Sequence, residues 1–213
     1  MKINKNSLKT TRTARYFTLG RLDETTKIIW FVFHGYAQTA DHLLESLQEL
    51  HDPNTFIIAP EGLSRFYWKD FSSNPVASWM TKLDRESDIE DNQAYLNKLY
   101  KSFDINENEI QVNFLGFSQG TATMSRWIAL DEIKSNKIVF YAGRVAHDID
   151  LSKSKNFKKA DLIFIYGKQD RFISEENVSQ LIDRFTKNGL DLKVYDFEGK
   201  HKVCHDGLKC LLQ

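Results

Sequence analysis

Ser118 lies in the pentapeptide Gly116-Phe117-Ser118-Gln119-Gly120, between an apolar run and a segment with helical spacing. In a strand-to-helix turn of this form the serine backbone is strained and its hydroxyl projects at the helix N-terminus. The flanking residues must be tiny so that the helix can pack against the strand. Amide groups and the helix dipole at that point favour developing negative charge. The chemistry this suits is nucleophilic attack on a carbonyl. A serine hydroxyl is a weak nucleophile unaided, so the reading demands a histidine base and a carboxylate to orient it.

The chain order that goes with such a turn is serine, then acid, then histidine. The downstream histidines are His147, His201 and His205. His147 comes before two further strand-like runs, too early for that order. His201 follows the last such run through Glu198-Gly199-Lys200 and is the candidate base. His205, one helical turn further on, reads as a surface or core-edge residue. For the acid, Asp170 in Gly167-Lys168-Gln169-Asp170 immediately follows a strongly apolar run. Its rivals Asp148, Asp150, Asp161 and Asp196 either precede the right strand or lie within one. His34-Gly35 ends another apolar run. His34 reads as a structural hydrogen-bonding residue, shaping a turn whose next amide, from Tyr36, joins the amide of Gln119 as an oxyanion hole.

The elements that must position these groups are legible as alternating patterns. Short β-branched and aromatic runs at 28–33, 56–59, 110–115, 138–141, 162–166 and 192–197 are bounded by turn residues. Several are apolar at nearly every position, as expected of strands covered by helices on both faces. Between them, 41–50, 84–103, 118–130 and 174–187 carry helical spacing, with Asp41 a candidate N-cap. Alternating strands and helices predict an α/β fold with a mostly parallel sheet of about seven strands. Residues 14–19 are expected to add an antiparallel edge strand. His34, Glu61, Ser118, Arg144 and Asp170 all fall at strand carboxyl ends, where open α/β sheets bind ligands. The stretch 62–82 lacks clear periodicity and is rich in aromatics, as a long functional loop would be.

Composition narrows the partners. The 213 residues suit a single domain, 1–213, with 41% hydrophobic and 27% charged residues. Acidic and basic residues balance at 29 each, leaving no global field for nucleic acid or an anionic membrane. No apolar run approaches the roughly 18 residues needed to span a bilayer. The N-terminus lacks the apolar stretch of a signal peptide, which predicts a cytoplasmic protein. Cys204 and Cys210 fit no metal pattern and read as reduced, partly buried thiols.

Taken together, Phe33-His34-Gly35-Tyr36, Ala59-Pro60-Glu61-Gly62, the Ser118 pentapeptide, Gly167-Lys168-Gln169-Asp170 and Phe197-Glu198-Gly199-Lys200-His201 resemble the α/β-hydrolase superfamily. They look most like its phospholipase/carboxylesterase branch, and they span almost the whole chain in the family's order. The resemblance implies a Ser118–Asp170–His201 triad, an oxyanion hole from the Tyr36 and Gln119 amides, no cofactor, and action on small carboxylic esters or thioesters. Two departures stand out. Gly120 is followed by Thr121, Ala122 and Thr123 where the family's elbow continues with a second glycine. The segment before Arg85 lacks the pattern of an acyl-protein thioesterase. With few residues beyond sheet and helices, the expected lid is minimal, over a shallow pocket walled by Trp68, Phe71 and Trp79. The alternatives are another acyl transferase or a lactonase using the same triad, and a non-catalytic binding or sensing module on the same scaffold.

Overall fold

The computed structural model describes residues 2–212. In chain order it contains β1 (Tyr16–Leu19), β2 (Ile28–Phe33), α1 (Ala40–Ser46), β3 (Thr55–Pro60), β4 (Ser64–Tyr67) and β5 (Pro75–Ser78). There follow α2 (Arg85–Lys101), β6 (Gln111–Phe117), α3 (Gln119–Ile128), β7 (Lys137–Tyr141) and α4 (Lys155–Lys159). The series ends with β8 (Asp161–Gly167), α5 (Glu175–Lys187), β9 (Leu192–Phe197) and α6 (His205–Leu208).

Seven strands form one sheet in the order β1-β3-β2-β6-β7-β8-β9. Only β1 runs antiparallel, against β3, as expected of an edge strand from residues 14–19. The other pairings are parallel. The mostly parallel seven-stranded sheet expected from the strand and helix pattern is found, in the α/β-hydrolase arrangement that the family resemblance implied.

Side chains on a strand alternate between faces, so an all-apolar strand feeds two hydrophobic layers at once. Ile29, Phe31 and Phe33 join Phe114, Phe140 and Phe164 on one face, beneath Leu96 and Leu99 of α2, Trp127 of α3 and Phe185 of α5. Trp30 and Val32 join Leu115, Val139 and Ile163 on the other, covered by Leu43 of α1 and Leu208 of α6. Trp127 is fully buried, lies 5.6–5.9 Å from the rings of Phe31, Phe33, Phe114 and Tyr100, and donates its indole N–H to Asn97 Oδ1 at 2.6 Å.

The helices follow the local signals with small corrections. Helix α1 is shorter than the 41–50 pattern, closing in a 3-10 turn at 48–50, and Thr39 rather than Asp41 is its N-cap. Asp41 sits in the first turn, where a negative charge still complements the dipole. Helix α5 opens with a capping box in which Ser174 accepts from the Asn177 N–H. The larger correction concerns 62–82, which is not an irregular loop. Strands β4 and β5 form a separate antiparallel hairpin, with Phe66 opposite Val76. Its strands are only four residues long, too short for a period to stand out. Pro75 also begins β5, a position where a proline forfeits no essential ladder bond.

Chain direction across the sheet reverses beside β2: β3 lies to one side of it and β6 to the other. Such a switch point opens a crevice at the strand carboxyl ends. Here the two strands flanking it lead directly into His34 and Ser118.

Candidate active site

Ser118 is held in a conformation that side-chain-bearing residues rarely adopt, with φ 52° and ψ −115°. Such strain persists only where the surroundings over-determine it. The Ser118 N–H donates to the Tyr141 carbonyl of β7 at 2.9 Å. Its own carbonyl accepts from the Thr121 N–H at 3.2 Å and lies 2.6 Å from the Thr121 hydroxyl. The same hydroxyl lies 2.9 Å from the Arg144 carbonyl. The glycines on either side are required by space. A Cβ on Gly116 would stand 2.6 Å from Thr121 Cα, and one on Gly120 only 2.2 Å from the Phe33 carbonyl oxygen. Thr121, in the place where the family's elbow has a second glycine, is fully buried and ties the turn to the loop after β7.

The serine, acid and histidine singled out in the sequence converge. His201 Nε2 accepts from Ser118 Oγ at 2.9 Å, and its Nδ1–H donates to Asp170 Oδ2 at 2.6 Å. The other Asp170 oxygen accepts from the Phe172 N–H at 2.8 Å. The Asp170 side chain is wholly buried while that of His201 is 20% exposed, so of the two only the ring reaches solvent. Phe117 and Phe172 flank the imidazole at 5.0 and 4.8 Å between ring centres. Backbone bonds splice the two supporting turns together: Lys168 N–H donates to Phe197 O and Gln169 N–H to Gly199 O, both at 2.9 Å.

The rival residues are engaged elsewhere. His205 pairs with Glu49 on the surface, and His147 lines a separate cleft with Arg126, Arg144 and Arg184. Asp148 pairs with Arg126 and Arg85, Asp161 with Lys193, and Asp196 with Lys168. Asp150 closes its own turn onto Ser152. Glu61, though at a strand end, is buried in a two-pronged bond with Arg15 at 2.8 and 2.9 Å. Cys204 and Cys210 are free thiols of intermediate burial.

His34 has the structural place expected of it. Nε2 accepts from the Gly62 N–H at 2.9 Å, which leaves the proton on Nδ1 to donate to the Gly35 carbonyl at 2.7 Å. Burial pushes its pKa down to about 4 from an ordinary 6.5, so the ring is neutral. In the turn that follows, the Gly35 N–H donates to Gln38 Oε1 and the Ala37 N–H to the Ala77 carbonyl, each at 3.0 Å. The Tyr36 N–H between them has no acceptor among the described residues.

A cavity of about 770 Å³ opens over Ser118 and His201, walled by Tyr36, Trp68, Val76, Ala142 and Phe172. Of the three expected wall residues, Trp68 alone lines it. Trp79 instead lies beneath the turn, 1% exposed, stacked 4.8 Å from the His34 ring and donating its indole N–H to the His34 carbonyl at 2.8 Å. Phe71 is 90% exposed beyond the hairpin and packs edge-on against Tyr67. The hairpin decides both outcomes, carrying Phe71 outward past β4 and leading Trp79 inward at the end of β5. Val76 and Phe172 were missed as wall residues. Phe172, two positions after Asp170, had a local signal in its proximity to the acid; Val76 had none, because hairpin register alone brings it there.

The chain is a serine hydrolase by family. The family described as Serine hydrolase (FSH1) matches residues 24–206, and the chain belongs to it. No curated protein matches the chain in sequence. Among solved structures, it is similar to acyl-protein thioesterase 2 of Zea mays, at 17% identity and a TM-score of 0.73, over 94% of this chain and 96% of that one. It is also similar to a Bacillus cereus carboxylesterase, at 12% identity and a TM-score of 0.69, over 93% of this chain and 92% of the other. At such identities these likenesses speak for the fold.

Proposed function

We propose that the protein hydrolyses carboxylic esters or thioesters of small acyl groups through an acyl-enzyme on Ser118. The observation that carries this reading is the unbroken relay from Asp170 through His201 to Ser118 Oγ at the floor of an open cavity. Ser118 Oγ attacks the substrate carbonyl as His201 Nε2 takes its proton. Asp170 keeps the imidazole in the tautomer whose Nε2 lone pair faces the serine, and stabilises the imidazolium that forms. The developing oxyanion is received by the Tyr36 N–H and by the Gln119 N–H at the start of α3. The imidazolium then protonates the departing alcohol or thiol. Water, deprotonated by the same histidine, releases the acid and restores Ser118.

The Gln119 side chain supports the proposed oxyanion hole from behind. Its Oε1 accepts from the Trp79 N–H at 3.1 Å and its Nε2 donates to the Met80 carbonyl at 2.9 Å. The first residue of α3 is thereby pinned to the exit of the hairpin, and the hairpin carries Trp68 and Val76. The cavity, about 770 Å³, has the size of a small-molecule site. Fluorophosphonate labelling tests the reading directly. Ser118 is expected to be modified in the intact protein, with turnover of p-nitrophenyl acetate lost in step. A protein that resists labelling, or a Ser118→Ala variant that still turns over the ester, would sink the proposal.

A further inference from the structure

Among the residues that line the cavity, those carrying a permanent charge are all basic. Its lining includes Lys69 and Arg171 and contains no acidic residue. The chain as a whole carries no net charge, with 29 basic and 29 acidic residues, so this local excess of cations is not a by-product of a basic protein. Neither cation belongs to an ion pair among the described residues. The acids next to them in sequence are bonded to other groups. Asp70 Oδ1 accepts from the Ser72 N–H at 2.9 Å and the Ser72 hydroxyl at 2.5 Å, and Asp170 serves His201 and the Phe172 N–H.

The two cations arrive from separate parts of the fold. Lys69 lies between β4 and β5, where its backbone N–H donates to Ser73 Oγ at 3.3 Å. Arg171 follows the acid on the β8–α5 turn, with its guanidinium 4.7 Å over the ring of Phe172, itself a wall of the cavity. The other walls are mainly apolar, and low-dielectric walls focus the field of such charges into the space between them.

We propose that the preferred substrates of the Ser118 site are anionic esters, whose carboxylate is held by Lys69 and Arg171 while the ester carbonyl lies at Ser118. This rests on the hydrolytic reading of that site. The carboxylate could belong to the acyl part, as in a half-ester of a dicarboxylic acid, or to the alcohol part. Paired probes separate the two sources: monomethyl adipate against methyl hexanoate, and acetylglycolate against propyl acetate, each followed by acid release.

The expected result is a kcat/KM about tenfold or more higher for the anionic member of at least one pair. That preference should shrink as salt is raised to about 0.5 M. In a Lys69→Ala/Arg171→Ala double variant the anionic-to-neutral ratio should fall to about one, and in Lys69→Ala alone to an intermediate value. Reading a ratio keeps the outcome clear of any general loss of rate from the change beside Asp170. If Ser118 labels with fluorophosphonate but neither anionic ester is preferred, the substrate proposal is overturned and the hydrolytic reading stands. If Ser118 fails to label and no ester is turned over, both fall.

Discussion

His34 and His201 both stand beyond the carboxyl ends of parallel strands, and each ring is held by two hydrogen bonds. They differ in what those bonds reach. His34 spends its Nε2 lone pair on the backbone N–H of Gly62 and its Nδ1 proton on the Gly35 carbonyl, at zero exposure. His201 turns its Nε2 lone pair to the hydroxyl of Ser118 and its Nδ1 proton to a carboxylate, and its ring is partly exposed. An amide donor holds its proton at ordinary pH, whereas a hydroxyl can surrender one where the resulting charge is received. A carboxylate stabilises an imidazolium far better than a carbonyl does. Two histidines in similar turns thus differ by their partners alone, and on the proposed mechanism that difference makes one structural and the other a base.

The largest test of that contrast is His201→Ala. Turnover of p-nitrophenyl acetate is expected to fall about 10⁶-fold, as for removal of the base from other serine triads, with the melting temperature little changed. A variant that keeps most of its rate breaks the comparison. Next in size, Asp170→Asn should lower kcat by about 10⁴-fold, because an amide in that place favours the wrong imidazole tautomer. Single-turnover rates with intact circular dichroism would check it.

On the supporting side of the comparison, Gly120→Ala puts a methyl group 2.2 Å from the Phe33 carbonyl, one residue before His34. It should cost about 3 kcal/mol in urea unfolding. An unchanged midpoint would mean that the turn has room after all.

The two rings also differ in what acid does to them. Burial holds the pKa of His34 down to about 4 in the folded protein, against 6.5 for an exposed ring. Between those values the unfolded chain binds a proton that the folded chain refuses. Stability from this residue is therefore full above about pH 6.5, declines as the pH falls through the window, and levels off below about 4. The whole effect amounts to ~3 kcal/mol. Urea midpoints measured across that range should show a shallower acid decline in His34→Gln; an identical slope would locate the acid sensitivity elsewhere. Smallest of all, Trp79→Phe keeps the stacked ring but deletes the bond to the His34 carbonyl, and should cost ~1 kcal/mol. A neutral outcome would show that stacking alone supports the turn.

How legible the site was depended on how local its determinants are. Ser118 is announced by its own glycines, since the close approach of α3 to its own strand at 116 and to the Phe33 carbonyl at 120 is written in the absence of side chains there. Asp170 and His201 follow from their places after strand-like runs that end in Gly167 and Phe197. The pocket walls have no such local mark. Aromatics in a segment without periodicity, Trp79 and Phe71 carry no mark of which way they face, and the fold sends the first under the turn and the second into solvent.

The sequence by itself determined the layered α/β architecture, because strands apolar on both faces admit few other arrangements, and it determined the order serine, acid, histidine along the chain. Tertiary structure alone decided which aromatics line the cavity over Ser118 and why Thr121 is accepted in the elbow, where its hydroxyl meets the Ser118 and Arg144 carbonyls. It alone brought Lys69 and Arg171 to one cavity. The physical reason is range. Backbone strain and burial are imposed within a few residues, whereas the walls of a cavity are set by how separate loops pack over it.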